Sequence, residues 1–382
     1  MTQARYGRGL HSETKEPEQH QGLVFLRLLK SRTQPVLGVD IGSAAVKLVE
    51  LHQDGGAYRI RSHGLEPLPP HAVADARIAD ENAVAGAVAR IVKRCAIRTK
   101  QAAAAVPGSA AISKVLTVPN APNDAEMESQ IQLEADRQLP FPVEEVHFDF
   151  EVLGPCGNDP ERVDVMLAAT RRENVTTRAA VLRRAGLKPR IVDVEPYALE
   201  HVFPLLADCV PDAGAGKTVA MVDMGAATTL LAILHDRKIV YTREQPFGDR
   251  PLTRDIMRRC GLSYEAAERM KRTGGSPDKD AADDGPAAIL ASFKDAMARQ
   301  IDRALRYFLS STGYAHVDQV MLAGGNACLP GMDAAVHAQT GVPARVADPF
   351  AAMPAAGPVA DGPAMLIAAG LAMRGCMRGP GR

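Results

Sequence analysis

Two stretches of this chain carry the same pattern, and that repetition constrains the fold more than any other feature. Residues 35–51 read PVLGVDIGSAAVKLVEL: a short apolar strand, then Asp40, Gly42 and Ser43, then a second strand bearing Lys47. Residues 218–234 read TVAMVDMGAATTLLAIL, again an apolar strand, then Asp223, Gly225, Ala226 and Thr228, then a strand. One such turn alone is an ordinary hairpin whose Asp and Gly make the bend. Two copies about 180 residues apart point to a duplicated fold with a cleft between its halves. A strand that delivers a carboxylate to a glycine turn is also one way to hold a magnesium phosphate. Glycine lets the backbone approach the anion, the turn's N–H groups bind its oxygens, and the Asp faces the metal, usually through water. Two acids on opposite walls can share one hydrated magnesium, so Asp40 and Asp223 are the candidate metal-facing residues.

The rest of the chain fills in two lobes. At 382 residues it exceeds one ordinary core. A three-stranded meander is expected from Val36 to about Glu66, turning at Asp54-Gly55-Gly56. Val84, Val88, Ile91 and Val92 share a helical face within 78–95, and 101–108 returns as a buried strand. The order, ββαβ or βββαβ, gives an α/β unit with a mixed sheet. A different composition follows: a strand over 111–118, then a helix opened by the capping-box pattern Asn123-x-x-Glu126 and stopped by Pro140. Two strands at about 146–153 and 162–169 and an Arg-rich helix at about 172–185 complete a compact inserted subdomain, before 189–194 resumes the first sheet. In the second half a strand over 239–245 precedes helices at about 248–259 and 263–272 and a polar loop at 274–285. A long helix then carries Ile289, Phe293, Met297, Ile301 and Phe308 on one face. A buried strand over 317–322 empties into Gly324-Gly325, and a last apolar helix is expected at about 364–374. The expected divisions are 1–34, disordered or weakly ordered; 35–108 with 187–215, the first lobe; 109–186, the insert; and 216–382, the second lobe. Within the first of these, Gly22 to Lys30 suits one or two apolar helical turns, docked on the protein or a membrane surface, or disorder.

Composition removes several classes of function. Lys plus Arg and Asp plus Glu balance at 45 each, so no overall field draws nucleic acid or an anionic membrane. Trp is absent and aromatics are 4%, which leaves little for stacking single strands. Six scattered cysteines without a close pair suit reduced thiols better than a disulfide framework or a zinc site. No apolar run approaches the ~20 residues of a membrane span. Ala213-Gly-Ala-Gly216-Lys217-Thr218 looks like the end of a P-loop, but it precedes a strand where a P-loop follows one and opens a helix; a mobile linker is expected there.

The motifs, taken in order, carry a family resemblance. Asp40-x-Gly42-Ser43-x-x-Val46-Lys47, with the backbone of Ala44, resembles the first phosphate motif of actin. Asp223-x-Gly225-Ala226 with Thr228 resembles the second, and Gly324-Gly325-Asn326-x-x-Leu329-Pro330-Gly331 the adenosine motif of the actin and heat-shock chaperone superfamily. Glu268-x-x-Lys271-Arg272 is similar to the chaperones' helix that borders the nucleoside. Asp193-x-Glu195-Pro196-x-Ala198 resembles the connecting segment that positions the attacking water, which makes Glu195 the candidate catalytic residue. The insert narrows the family further. VPGSAAISKVLTVPNAP and EMESQIQLEADRQLPFPVEEVHFDFEVLG are similar to the PilM family of type IV pilus assembly proteins, as are VDVMLAATRRENV and AGLKPRIVDVEPYALE, over roughly 34–376.

The resemblance implies an α/β, actin-like (ribonuclease H-like) duplicated two-lobe fold with an inserted FtsA-type 1C subdomain. It implies ATP and Mg2+ as ligands, clamped through Asp40, Ser43, Lys47, Asp223 and Gly325, with slow or no hydrolysis. It further implies a cytoplasmic protein held at the inner membrane by the cytoplasmic tail of PilN, linking the alignment complex to the motor ATPases; self-association stays open. Two relatives in the superfamily are rival readings. A small-molecule kinase would need a catalytic Asp beside a hydroxyl-bearing pocket, and an FtsA-like division filament should end in a basic amphipathic helix.

Overall fold

The computed structural model describes residues 24–25, 35–121, 123–157, 159–273, 285–351, 353, 359 and 361–375. In the first half, β1 (Val24–Phe25) precedes the meander β2 (Leu37–Ile41), β3 (Ala45–Asp54) and β4 (Ala57–Pro67). A small hairpin, β5 (Val73–Ala74) and β6 (Arg77–Ile78), leads to α1 (Glu81–Arg94) and β7 (Gln101–Val106). The insert comprises β8 (Ala111–Pro119), α2 (Asp124–Gln138), β9 (Val146–Cys156) and β10 (Asp159–Arg171), and α3 (Arg172–Arg184) leads back to β11 (Lys188–Val194) and α4 (Glu195–Val202). The second half runs β12 (Thr218–Met224), β13 (Thr229–His235), β14 (Lys238–Gln245), α5 (Arg250–Cys260), α6 (Tyr264–Thr273) and α7 (Pro286–Ser311). It ends with β15 (Gln319–Ala323), α8 (Met332–Thr340), β16 (Ala344–Val346) and α9 (Leu366–Met373).

The duplication is explicit in the sheets. The first orders its strands β11-β7-β2-β3-β4 with β1 outside β11, and the second β16-β15-β12-β13-β14. In both, a hairpin meander is antiparallel, one further strand joins its first strand in parallel, and another joins that strand in parallel. Short turns can close the meander, whereas the parallel strands need crossovers, supplied by α1 and α3 in one lobe and by α7 and α8 in the other. The insert occupies the crossover where the second lobe has only α8.

Each sheet buries both faces. On the outer face of the first, Leu37, Val39 and Ile41 alternate into a core with Val84, Val88 and Ile91 of α1. On the outer face of the second, Ala220, Val222 and Met224 pack on α5, α7 and α8. The inner faces share one core: Val49 and Leu51 of β3 and Val219 and Met221 of β12 join it through α4 and α9. All eight residues of α9 are buried, as expected of a helix that is apolar all round. Two glycines allow that proximity. A Cβ on Gly38 would lie 1.9 Å from the Ala368 carbonyl oxygen, and one on Gly370 1.9 Å from that of Ala198.

The insert has its own core, where Leu116, Val118, Val165 and Leu167 of the β8-β10-β9 sheet meet Ile131 and Ala135 of α2. The expected capping box opens α2: the Asn123 side chain accepts the Glu126 N–H and its Nδ2 donates to the Glu126 carboxylate. By contrast Val181 and Leu182 of α3 pack in the core of the first lobe.

Two expectations change. Val24 and Phe25, read as part of an apolar helical turn, form a strand parallel to Ile191 and Val192, because the edge of β11 offers unpaired backbone groups. The remainder of residues 1–34 lies outside the described residues, as do 274–284 of the polar loop. The stretch around residues 213–218 is pinned rather than loose: Arg237 Nε donates to the Ala213 carbonyl (3.0 Å), and Gly216 N–H to the Asp236 carboxylate (3.1 Å). It precedes β12, so the reading against a P-loop holds. The five described cysteines are free and half-buried. Among the described residues no helix is long and apolar enough to cross a membrane.

Candidate functional site

The two turns that open the sequence argument close in the same way. Gly42 N–H donates to the Ala45 carbonyl (3.1 Å) and Gly225 N–H to that of Thr228 (2.9 Å). At the end of β2, Asp40 pairs across the ladder with Lys47, whose Nζ lies 2.8 Å from Asp40 Oδ2. At the end of β12, Asp223 stands opposite Leu230, which stands opposite Glu244 on β14. Residues opposed across a ladder share a face, so Glu244 is on the Asp223 side of the second sheet. Glu195, the first residue of α4, is close enough to Asp40, Asp223 and Glu244 for their charges to act on it.

Electrostatics shows how crowded these acids are. Burial, then the charges of Asp40, Glu244 and Asp223, push Glu195 up to about 8, against an opposing pull from Arg178. Burial pushes Asp223 up to about 6, with Lys47 opposing and Asp40 and Glu244 adding. Burial alone would depress Lys47, but Asp40, Asp223 and Glu195 outweigh it and hold the ammonium above its ordinary range. Lys47 therefore feels the carboxylates of both repeats at once, in keeping with two turns that Arg250 ties together by hydrogen bonds to Ala226 and Ser43.

The third wall is the loop after β15. Gly324 has φ 84°, and a Cβ there would fall 2.4 Å from the Met224 carbonyl oxygen, so only glycine fits against the second turn. Gly325 is exposed, with open space where a side chain would be. Asn326 is buried and its Nδ2 donates to the Gly225 carbonyl (2.9 Å). That hydrogen bond ties the glycine loop to the second turn. Leu329 is buried in the second-lobe core.

The Glu268 and Lys271 pair is likewise turned inward. Lys271 is buried, and its Nζ contacts Asp249, Glu268 Oε1 (2.7 Å) and Thr253 Oγ1 (2.9 Å), locking α6 to α5. Glu268, half-buried, also accepts from Thr253 (3.0 Å). A lysine surrounded by two carboxylates satisfies a buried charge that would otherwise be costly, so this pair fixes α6 against the start of α5.

Several residues at the site carry no motif. Arg250 bridges the turns: its backbone N–H donates to the Ala226 carbonyl (2.9 Å), and its guanidinium to the carbonyls of Ser43 (2.8 Å) and Val73 (3.2 Å). The Ala44 carbonyl is held by Leu68 N–H (2.8 Å), which fixes the first turn from the other side. Glu244 was discoverable from the period of two along β14 in register with Asp223; Arg250 and Asp249 have no comparable signal.

The residues suit a phosphate-borne, hydrated cation more than a directly ligated one. Among the described residues no group of three His, Cys, Asp or Glu side chains is placed to hold a metal. Instead Asp40, Asp223, Glu195 and Glu244 crowd with Lys47 and Arg178 as the opposing charges, and a cation held through water relieves that crowding.

Comparisons with known proteins agree with this architecture. The solved structure of the PilM-PilN type IV pilus biogenesis complex is similar with a TM-score of 0.73 and 28% identity, over 91% of this chain and 100% of that one. Ethanolamine utilization protein EutJ from Carboxydothermus hydrogenoformans, at 18% identity, shares the fold with a TM-score of 0.54 over 90% of each chain. Cell division protein FtsA of Rhizobium meliloti is 24% identical over 232 residues, 55% of this chain and 50% of that protein, so the chain spans about half the length of that curated relative. The duplicated, two-lobe architecture is thus the actin-like fold. The family model described as type IV pilus assembly protein PilM matches residues 38–376, and the chain belongs to that family.

Proposed function

We propose that this protein is a cytoplasmic, ATP-binding component of the type IV pilus machinery that holds the cytoplasmic tail of PilN in a groove beside the inserted subdomain. The observation that carries the nucleotide part is the meeting of the two Asp-Gly turns, joined by Arg250, whose backbone N–H donates to the Ala226 carbonyl (2.9 Å) and whose guanidinium donates to the Ser43 carbonyl (2.8 Å), with Lys47 of the first turn 2.8 Å from Asp40. The N–H groups of the two turns would hold the phosphates, Asp40 and Asp223 would face a hydrated Mg2+, and the open backbone at Gly325 would lie against the nucleoside. Bound magnesium supplies charge neutralisation of the phosphates. A ligand that touches both lobes favours one angle between them, and the insert rooted in the first lobe feels that angle. The similarity to the PilM-PilN complex supports PilN as the partner, and with it a peripheral place at the inner membrane and a link to the motor.

Hydrolysis is slow or absent in this reading. A structural switch needs only differential binding of the nucleotide, and in the empty cleft burial and the charges of Asp40, Glu244 and Asp223 push the Glu195 carboxyl up to about 8, so it keeps its proton near neutral pH until a ligand enters. Calorimetric titration with Mg-ATP tests the clamp: Asp223→Ala should weaken binding by about tenfold or more, the loss expected for one charge-assisted contact. Unchanged affinity in that variant sinks the proposal.

A further inference from the structure

Glu244 faces two ways. On one side its charge reaches Glu195 and Asp223 in the cleft. On the other, its Oε2 accepts the backbone N–H of Ser109 at 2.9 Å, across from the second lobe to the point where the chain leaves β7 for the insert. Ser109 is an exposed residue, and the Glu244 carboxylate is the acceptor of its amide. The next residue ties this root to the strand that returns. Thr170 Oγ1 donates to the Ala110 carbonyl (2.6 Å), and Asn174 Nδ2 to Thr170 Oγ1 (3.0 Å). From α3, Arg178 donates to the carbonyls of Asn174 (3.1 Å) and of Ala105 at the end of β7 (2.6 Å). Both chain passages into the insert therefore hang on one short network that meets the second lobe at Glu244.

We propose that Glu244 is a positioning residue that ties the root of the inserted subdomain to the second lobe while the cleft is empty and releases it when a magnesium-bound polyphosphate enters. The choice follows from bond strength. A hydrated cation in the cleft would set two full positive charges against the partial charge of one backbone N–H, and in a partly buried site the full charges attract the carboxylate more strongly. Glu244 is already on the face of the sheet that carries Asp223. This inference rests on the nucleotide reading above.

Hydrogen exchange of the full chain, resolved at residues 108–111 with and without Mg-ATP, reads the Ser109 amide directly, and calorimetry on the same sample reads binding. Wild type should exchange about tenfold or more faster at Ser109 with Mg-ATP, the protection of a hydrogen bond to a charged acceptor. Glu244→Ala should exchange fast in both conditions. Glu244→Gln, which keeps an acceptor oxygen without the charge, should stay slow in both. Binding heat with no change at Ser109 in wild type overturns the release alone, and so does a Glu244→Ala protein that stays protected. Absence of binding heat overturns the clamp and the release together.

Discussion

At the residue scale the site is defined by charges that the fold holds together against their own repulsion. Glu195 is the extreme case. An unfolded chain gives up this proton near the ordinary value of 4.5, whereas the native protein keeps it until about 8. Between those values the native state binds more protons than the unfolded one, so stability falls as pH rises through the window. Asp223, raised to about 6 from 3.8, adds the same trend in the lower half of it. The nucleotide-free protein should lose melting temperature between about pH 5 and pH 8, and Glu195→Gln should flatten the slope and gain about 1–3 kcal/mol at the upper end, discounted from the full shift because the side chain is only half-buried. Differential scanning calorimetry across that range checks it; a variant as pH-dependent as wild type would show that Glu195 titrates normally. The motif signalled Glu195, but its raised carboxyl comes from burial first and then from neighbours in three other elements, which no local pattern displays.

At the element scale the molecule turns on α4 and α9, the helices between the two sheets. Gly370 of α9 and Gly38 of β2 let backbones approach where any side chain would collide with a carbonyl. Gly370→Val should therefore cost more than about 3 kcal/mol, beyond the usual 1–3 for overpacking a core, since the obstacle is backbone and cannot rotate away. Urea denaturation measures this, and a loss under about 1 kcal/mol would mean that α9 can shift. Most elements were legible in the sequence, because strands of period two and helices of period 3.6 are written in local order: β2 to β4, α1, the capping box of α2, and the second Asp turn all fall where the pattern puts them. What was not legible depends on tertiary placement. Asn326 and Leu329 sit in a glycine loop that reads as ligand-facing, yet the left-handed turn at Gly324 sends both inward. Lys271 reads as a solvated or ligand-bordering charge, and only the packing of α5 brings Asp249 beneath it. Arg250 follows a Gly-Asp pair with no motif, and its bridge to Ser43 spans two lobes.

At the scale of the whole molecule, the two sheets share one inner core through α4 and α9, while the insert keeps a core of its own and reaches the second lobe through Ser109 and Glu244. In the nucleotide reading the two lobes and the insert respond as linked bodies. If a nucleotide selects a lobe angle and the PilN tail selects an insert angle, the two ligands must change each other's affinity by the same factor, because the free energy of the doubly bound state does not depend on the order of binding. The expected factor is about 5–150-fold, the range of coupling free energies of about 1–3 kcal/mol. Calorimetry with Mg-ATP and a synthetic PilN N-terminal peptide, singly and then each in the presence of the other, measures both ratios. Equal ratios different from one establish the coupling, and Glu244→Gln should bring both toward one while leaving the affinity for the peptide alone within about threefold of wild type. Ratios of one in the wild-type protein would mean that the tail is held without reference to the cleft, and the clamp would then have no route to the partner.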